Sequence, residues 1–209
     1  MCLFLPIFIG KFKDMLEKTA NYILETVAPI FNRQGYVGTS LSDLTKATQL
    51  TKGALYGNFK NKDELALRAF ELNTKRVLKP LNEMVDKEDN YLDKVLAVIQ
   101  YYRTYSQRTK EIGGCPFLNV SIDAKNNYPA LFLRAKSLEK RKQEALSRII
   151  EEGIKREEIN ADIDPDSFAK NMYSLIVGAY FMTFIQEDES YLKVALDQLE
   201  SDMMPKLRV

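Results

Sequence analysis

In residues 39–64, hydroxyl and ammonium side chains recur where short helices would begin. Thr39 and Ser40 precede one apolar-periodic run, Thr51 and Lys52 a second, and Lys60 a third. The first N–H groups of a helix lack intrahelical partners and lie at the positive end of its dipole, so such starts suit anions. Residues 39–62 carry Lys46, Lys52, Lys60 and Lys62 against Asp43 alone, although the whole chain has a net charge of only +1. Basic charge is thus concentrated where phosphates would be met. On charge alone, a solvated surface is the plainer reading.

The elements that must position these groups are short. Ser40-x-x-Asp43 and Asn61-x-x-Glu64 both have the pattern of a capping box, and Thr51 is an N-cap for residues 52–58. Gln49-Leu50 makes the turn between the first two helices, without the frequent glycine. Leu41, Leu44, Leu55 and Phe59 are spaced to share a small core with a preceding helix. Two short helices joined by a tight turn and followed by a third form a helix-turn-helix, whose second helix lies in the DNA major groove. Gly53 and Ala54 permit close approach. Tyr56 offers a hydroxyl to phosphate or a ring to a thymine methyl, and Asn58 either reads a base edge or caps its own helix. The stretch holds no arginine, which leaves Lys52 as the best candidate for a guanine contact. Read without DNA, three capped helices are simply an all-α subdomain.

Other chemistry is poorly supported. The 209 residues include no histidine and two cysteines, Cys2 and Cys115. That removes His-based triads, most zinc sites and a disulfide framework, and it fits a reducing cytoplasm. There is no glycine-rich phosphate loop, nucleophile–base pair or recognisable catalytic carboxylate pair, so the chain reads as no enzyme, with no metal and no cofactor. Cys115 reads as a buried structural cysteine; the alternative is a redox or electrophile sensor, for which no activating histidine and no resolving cysteine is evident. Residues 1–10 are apolar but broken by Pro6 and lack a basic region ahead of the apolar run. They make a poor signal peptide and are too short for a membrane span. Residues 1–14 read as an N-terminal extension ahead of a natural start at Met15; the alternative is an arm that packs on the body or touches DNA.

Helical periodicity dominates elsewhere, giving an all-α fold of about nine helices. The first, over about 14–34, carries Pro29 inside it, which predicts a kink near Ala28, and Gly35 ends it. Further helices are expected over about 62–86, 91–110, 116–124, 129–152 (ended by Gly153), 165–186 and 190–205.

The run Ile23-Leu24-Glu25, Phe31, Gly35-Tyr36, Thr39-Ser40, Leu44 and Thr51-Lys52-Gly53-Ala54-Leu55-Tyr56 to Phe59-Lys60-x-Lys62-x-x-Leu65 resembles the N-terminal domain of TetR-family transcriptional regulators over about 50 residues. The family pattern usually has Tyr-Tyr-His-Phe where this chain has Tyr56-Gly57-Asn58-Phe59. Gly57 weakens the helix by up to about 1 kcal/mol relative to alanine and removes a usual DNA-facing aromatic. The resemblance implies a homodimer that binds a palindromic double-stranded DNA operator and usually represses, with a C-terminal helical domain holding a small ligand. By the same analogy Thr39, Ser40, Lys52, Tyr56 and Lys60 would touch phosphates, and Thr51, Gly53, Ala54 and Asn58 would lie at or near bases. The implied organisation is a helix-turn-helix domain over 15–62 and a ligand-binding and dimerisation domain over 63–209. A helical small-molecule-binding module with weak or lost DNA binding is the alternative that Gly57 keeps open.

Within 63–209, aromatics are frequent, and most at helical spacing are core. Tyr102 and Tyr105, with Arg103 nearby, suggest a pocket wall with polar tips; Phe117, Tyr173 and Phe181 are the other candidates for lining a site for a small apolar or amphipathic ligand. Residues 172–185 are apolar nearly all round, with Gly178-Ala179 in the middle, and Leu192, Leu196 and Leu199 share one face of the last helix. These two helices would make a four-helix dimer seam, or failing that a protomer core.

Overall fold

The computed structural model describes the backbone from Leu5 and the side chains from Leu16 to Val209. The expectations placed on residues 1–14 therefore fall outside the residues whose side chains are described. The elements are α1 (Leu5–Gly38), α2 (Leu41–Thr48), α3 (Lys52–Asn58), α4 (Lys62–Val85), α5 (Tyr91–Tyr102), α6 (Tyr105–Lys110), α7 (Pro116–Asn127), α8 (Pro129–Lys155), α9 (Pro165–Gln186), α10 (Ser190–Gln198), a π-helical segment (Leu199–Met203) and α11 (Met204–Leu207). No strand occurs among the described residues, and the fold is all-α.

The helices outnumber nine because two expected helices are subdivided. The 91–110 helix breaks after Tyr102, where the Arg103 and Thr104 N–H groups bond to carbonyls only three residues back. The last helix passes through the π turn into α11. Pro29 and Gly153 act differently from expectation, while Gly35 departs from the helix as expected. In α1 the helical dihedrals persist through Pro29, and the departure falls at Gly35 (φ 77°, ψ 172°), so Gly35 and not Pro29 redirects the chain. Gly153 lies inside α8 and does not end it. A Cβ there would stand 2.6 Å from Ile159 Cδ1 and 2.8 Å from Tyr91 Cβ, so the residue is glycine for close packing. The left-handed residue beyond the helix end is Glu157.

The chain divides into two compact units that are not contiguous in sequence: Met1–Lys75 with Glu111–Ala135, and Arg76–Lys110 with Lys136–Val209. In the first, Ile23, Leu24, Val27, Ala28 and Phe31 of α1 bury against Leu44 of α2, Leu55 of α3, Phe59, and Leu65, Ala66 and Ala69 of α4. Each large side chain removed from water here contributes about 1.5–3 kcal/mol. Segment 111–123 locks onto the end of α1. The Asn32 amide donates to the carbonyls of Ile112 (2.7 Å) and Gly114 (2.9 Å). The Asn119 amide returns the pattern, donating to the carbonyls of Asn32 (2.9 Å) and Gly113 (3.0 Å). Asp123 accepts the Tyr36 backbone N–H at 2.5 Å and lies so close to Gly35 that a Cβ would come within 2.8 Å of its carboxyl carbon.

In the second unit, Tyr101, Tyr102, Tyr105, Tyr173 and Tyr180 stack edge to face and tilted, with neighbouring centroids 5.0–6.3 Å apart. The Tyr101 hydroxyl donates to the Val77 carbonyl, and the Tyr180 hydroxyl shares a 3.0 Å hydrogen bond with Thr109, so these phenols are bonded inside the core. No helix among the described residues is long and apolar enough to cross a membrane.

Candidate nucleic-acid interface

The reading head is assembled by its caps. At α2, the Ser40 hydroxyl accepts the Asp43 N–H (3.1 Å) while Asp43 accepts the Ser40 N–H (2.8 Å), completing the capping box. The Ser40 hydroxyl also donates to the Asp43 carboxyl (2.6 Å), and together with the Ser40 N–H it holds that carboxyl below the usual carboxylate range. At α3, the Thr51 hydroxyl accepts the Ala54 N–H at 3.2 Å. At α4, Asn61 accepts the Glu64 N–H (2.9 Å), and Glu64 reaches back to the Lys60 N–H (2.8 Å). The glycine-free turn is made by Gln49 in the left-handed conformation (φ 56°). Behind it the Tyr22 hydroxyl donates to the Thr48 carbonyl at 3.1 Å, tying α1 to the end of α2.

Most of the sequence-predicted contact residues lie on the accessible side of this assembly. Ser40, Thr51, Lys52, Gly53 and Lys60 are exposed, and Ala54, Tyr56 and Asn58 are half-buried. Lys46, Lys52 and Lys60 form no ion pair with a described residue; the Lys52 ammonium lies 5.9 Å from the Tyr56 ring centre. Thr39 departs from expectation. Its side chain is fully buried and its hydroxyl donates to the Gly35 carbonyl at 2.6 Å. It satisfies an orphan carbonyl at the end of α1, and no part of the residue is exposed to meet a phosphate. The Asn58 amide donates to the Ala54 carbonyl at 2.9 Å and so caps the last turn of α3. Lys62 is also engaged: its ammonium donates to the Tyr36 carbonyl at 2.6 Å and sits 4.4 Å over the Tyr36 ring.

Sequence reasoning missed a brace around Tyr36. Its hydroxyl donates in a short hydrogen bond to Asp63, its ring packs against Tyr128 (4.9 Å between centres), and Tyr128 donates to the Asp63 carbonyl at 3.1 Å. The Asp63 hydrogen bond, with burial and the carboxylate charge behind it, pushes the Tyr36 phenol up to about 12. Only the tyrosine-rich composition hinted at this brace, because its members lie 27 and 65 residues apart in sequence.

The family models agree with this geometry. Residues 23–69 match the model for bacterial regulatory proteins of the tetR family, and residues 92–199 match that for the tetracyclin repressor-like C-terminal domain. The chain belongs to the TetR family of transcriptional regulators. A TetR-family regulator from Cytophaga hutchinsonii shares 33% identity with it and superposes with a TM-score of 0.82, over 93% of this chain and 97% of that one. The HTH-type regulator YxaF of Bacillus subtilis is 25% identical over 85% of this chain and 91% of its own length. AcrR of Shigella flexneri is 34% identical over 32% of this chain, and the match spans only 31% of AcrR.

In the second unit of this TetR-family chain, the residues predicted to line a ligand site separate. Tyr102 and Tyr105 belong to the buried tyrosine stack. Arg103 is drawn away by Asp197 and Glu200, each at 2.8 Å. Phe117 lies in the first unit, edge-on to Phe70, and Phe181 is exposed. Tyr173 alone of the five borders a cavity of about 540 Å³, formed by the end of α4 (Leu78, Leu81, Asn82, Val85), α5 (Tyr91, Lys94, Val98) and α8 (Leu138 to Glu152). A volume of this size is typical for a small-molecule site. The sequence hint was the amphipathic stripe of α8, where apolar and basic residues alternate.

The two helices expected at a dimer seam divide likewise. Leu192, Leu196 and Leu199 are buried in the protomer, because that face of α10 packs on α9. The free apolar face is instead Val177, Phe181, Phe184 and Ile185 of α9 with Tyr191 and Val194, all exposed. Gly178 lies on the α9 part of it with no heavy atom within 4 Å of a Cβ placed there, and Ala179 is half-buried.

Proposed function

We propose that the chain works in the cytoplasm as a homodimeric repressor, binding a palindromic operator and released by a small ligand. In this division of labour residues 15–62 read DNA, while 63–209 hold the ligand and the dimer seam. The observation that carries the reading is the reading head itself: three capped helix starts bearing Ser40, Thr51 and Lys60, with Lys46, Lys52 and Lys60 forming no ion pair with a described residue. Ser40, Lys52, Tyr56 and Lys60 serve as phosphate contacts, and Thr51, Gly53, Ala54 and Asn58 lie at or near bases. The exposed apolar face around Gly178, with Phe181 and Phe184 beside it, supports a two-fold seam that pairs two heads. Ligand binding favours a dimer whose heads are wrongly spaced, and it shifts that equilibrium only by its differential affinity for the two states.

Selection of bound duplexes from a random pool tests the reading; a recovered palindrome is the expected result. Affinity for that duplex should fall steeply with salt, and Lys52→Ala or Lys60→Ala should weaken binding and reduce the slope of log K against log salt by about one. Slopes unchanged in both variants would remove these lysines from the interface. Gly57, exposed on α3 where the family usually has an aromatic, favours a second reading: a ligand-binding helical module with weak or lost DNA binding. No enriched duplex from an intact dimer would select it.

A further inference from the structure

We propose that the α4–α5–α8 cavity takes an organic anion with an apolar body, its carboxylate or sulfonate held between Arg141 and Arg148. The inference rests on the ligand-responsive reading above and names the class of ligand.

The cavity has an apolar floor and a charged rim. Leu78, Leu81, Val98, Leu146 and Ile149 supply hydrocarbon. Four cations border it, Lys94, Arg141, Lys142 and Arg148, against two carboxylates, Asp86 and Glu152. The local partners sort these charges. Lys94 donates to the carbonyls of Val85 and Glu88. Lys142, its side chain buried, holds Glu139 at 2.9 Å and lies 4.7 Å over the Tyr173 ring. Glu152 is taken by Lys155 at 2.6 Å. Arg141 and Arg148 are exposed and form no ion pair with a described residue. Two guanidiniums and one carboxylate, Asp86, are therefore left at the cavity without an ion pair to a described residue.

Helical spacing makes these two arginines a pair. Positions 141, 145 and 148 fall on one edge of α8, with the arginines roughly 10 Å apart along the axis. Ala145 stands between them, and its short side chain leaves room for an anionic head that both forks can reach. A cationic ligand would meet the two guanidiniums at the same rim, and a neutral one would leave their charge unused.

The test is calorimetric titration of the full-length protein with three probes that share one chain: decanoate, decan-1-ol and decyltrimethylammonium. Decanoate should bind once per protomer, at least about tenfold more tightly than the alcohol, and the cation should not compete. Arg141→Ala/Arg148→Ala should lower decanoate affinity about tenfold without changing that of decanol, and the paired lysine variants should restore most of it. Both arginines are exposed, so folding is not at stake. Ala145→Trp, which fills the cavity mouth, should abolish binding of both probes. Equal affinity for decanoate and decanol, or indifference to the arginine variants, would overturn the anionic class; if Ala145→Trp still blocked decanol, the cavity would stand as a ligand site. If none of the probes bound, the anion proposal would fall and with it the assignment of this cavity.

Discussion

Thr51 and Tyr36 show how single side chains set the geometry of the reading head. Thr51 is exposed, yet its hydroxyl is committed to the Ala54 N–H, so it fixes where α3 begins while remaining open to solvent. Thr51→Ala should cost about 1 kcal/mol in urea unfolding, and Thr51→Ser should keep the cap. If Ser also restores operator affinity, the hydroxyl and not the methyl is the part DNA senses. Tyr36 carries a phenol raised to about 12 by its bond to Asp63. In the unfolded chain it ionises near 10, so the unfolded state sheds its proton first as pH rises. The stabilisation is complete below about 10 and is lost towards 12. Thermal melts of the native chain should therefore decline over that range, and Tyr36→Phe should flatten the decline. Thr51 was legible from its position before a short apolar run. Tyr36 was not, because a brace that joins residues 27 and 65 positions apart leaves no local trace.

At the scale of the helix, caps were readable and breaks were not. Ser40, Thr51 and Asn61 all cap where their sequence spacing placed them, since an N-cap is decided within four residues. Gly153 looked like a stop signal and is instead a contact point inside α8, a role set by Ile159 and Tyr91 from elsewhere in the unit. Gly153→Ala should destabilise the chain by roughly 1–3 kcal/mol through overpacking, seen as a lower urea midpoint. Gly57 makes the opposite case within α3: nothing lies within 4 Å of a Cβ placed there. Gly57→Ala should raise stability by up to about 1 kcal/mol. Gly57→Tyr would report, through operator affinity, whether the missing aromatic limits DNA binding.

For the whole molecule, residue periodicity identified the helices but not which of their faces stay open. Leu192, Leu196 and Leu199 form a persuasive stripe and are spent inside the protomer, while Phe184 and Val194 remain exposed. A helix apolar on nearly every side, as α9 is, gives no sequence clue to which side meets which partner. Phe184→Glu with Val194→Glu should turn the proposed dimer into a folded monomer in sedimentation and abolish operator binding, with the circular dichroism spectrum unchanged. Arg103→Ala, which removes both the Asp197 and Glu200 contacts, should leave assembly intact and lower stability by about 1 kcal/mol or less, because the pairs are partly solvated. The clamp of Asn32, Gly35 and Tyr36 by Asn119 and Asp123 bears on how such proteins can be recombined. A promoter specificity grafted by exchanging only the first 62 residues would arrive without the segment that finishes α1. The exchangeable cassette is two pieces of gene, and a single crossover between relatives would produce a mismatched graft.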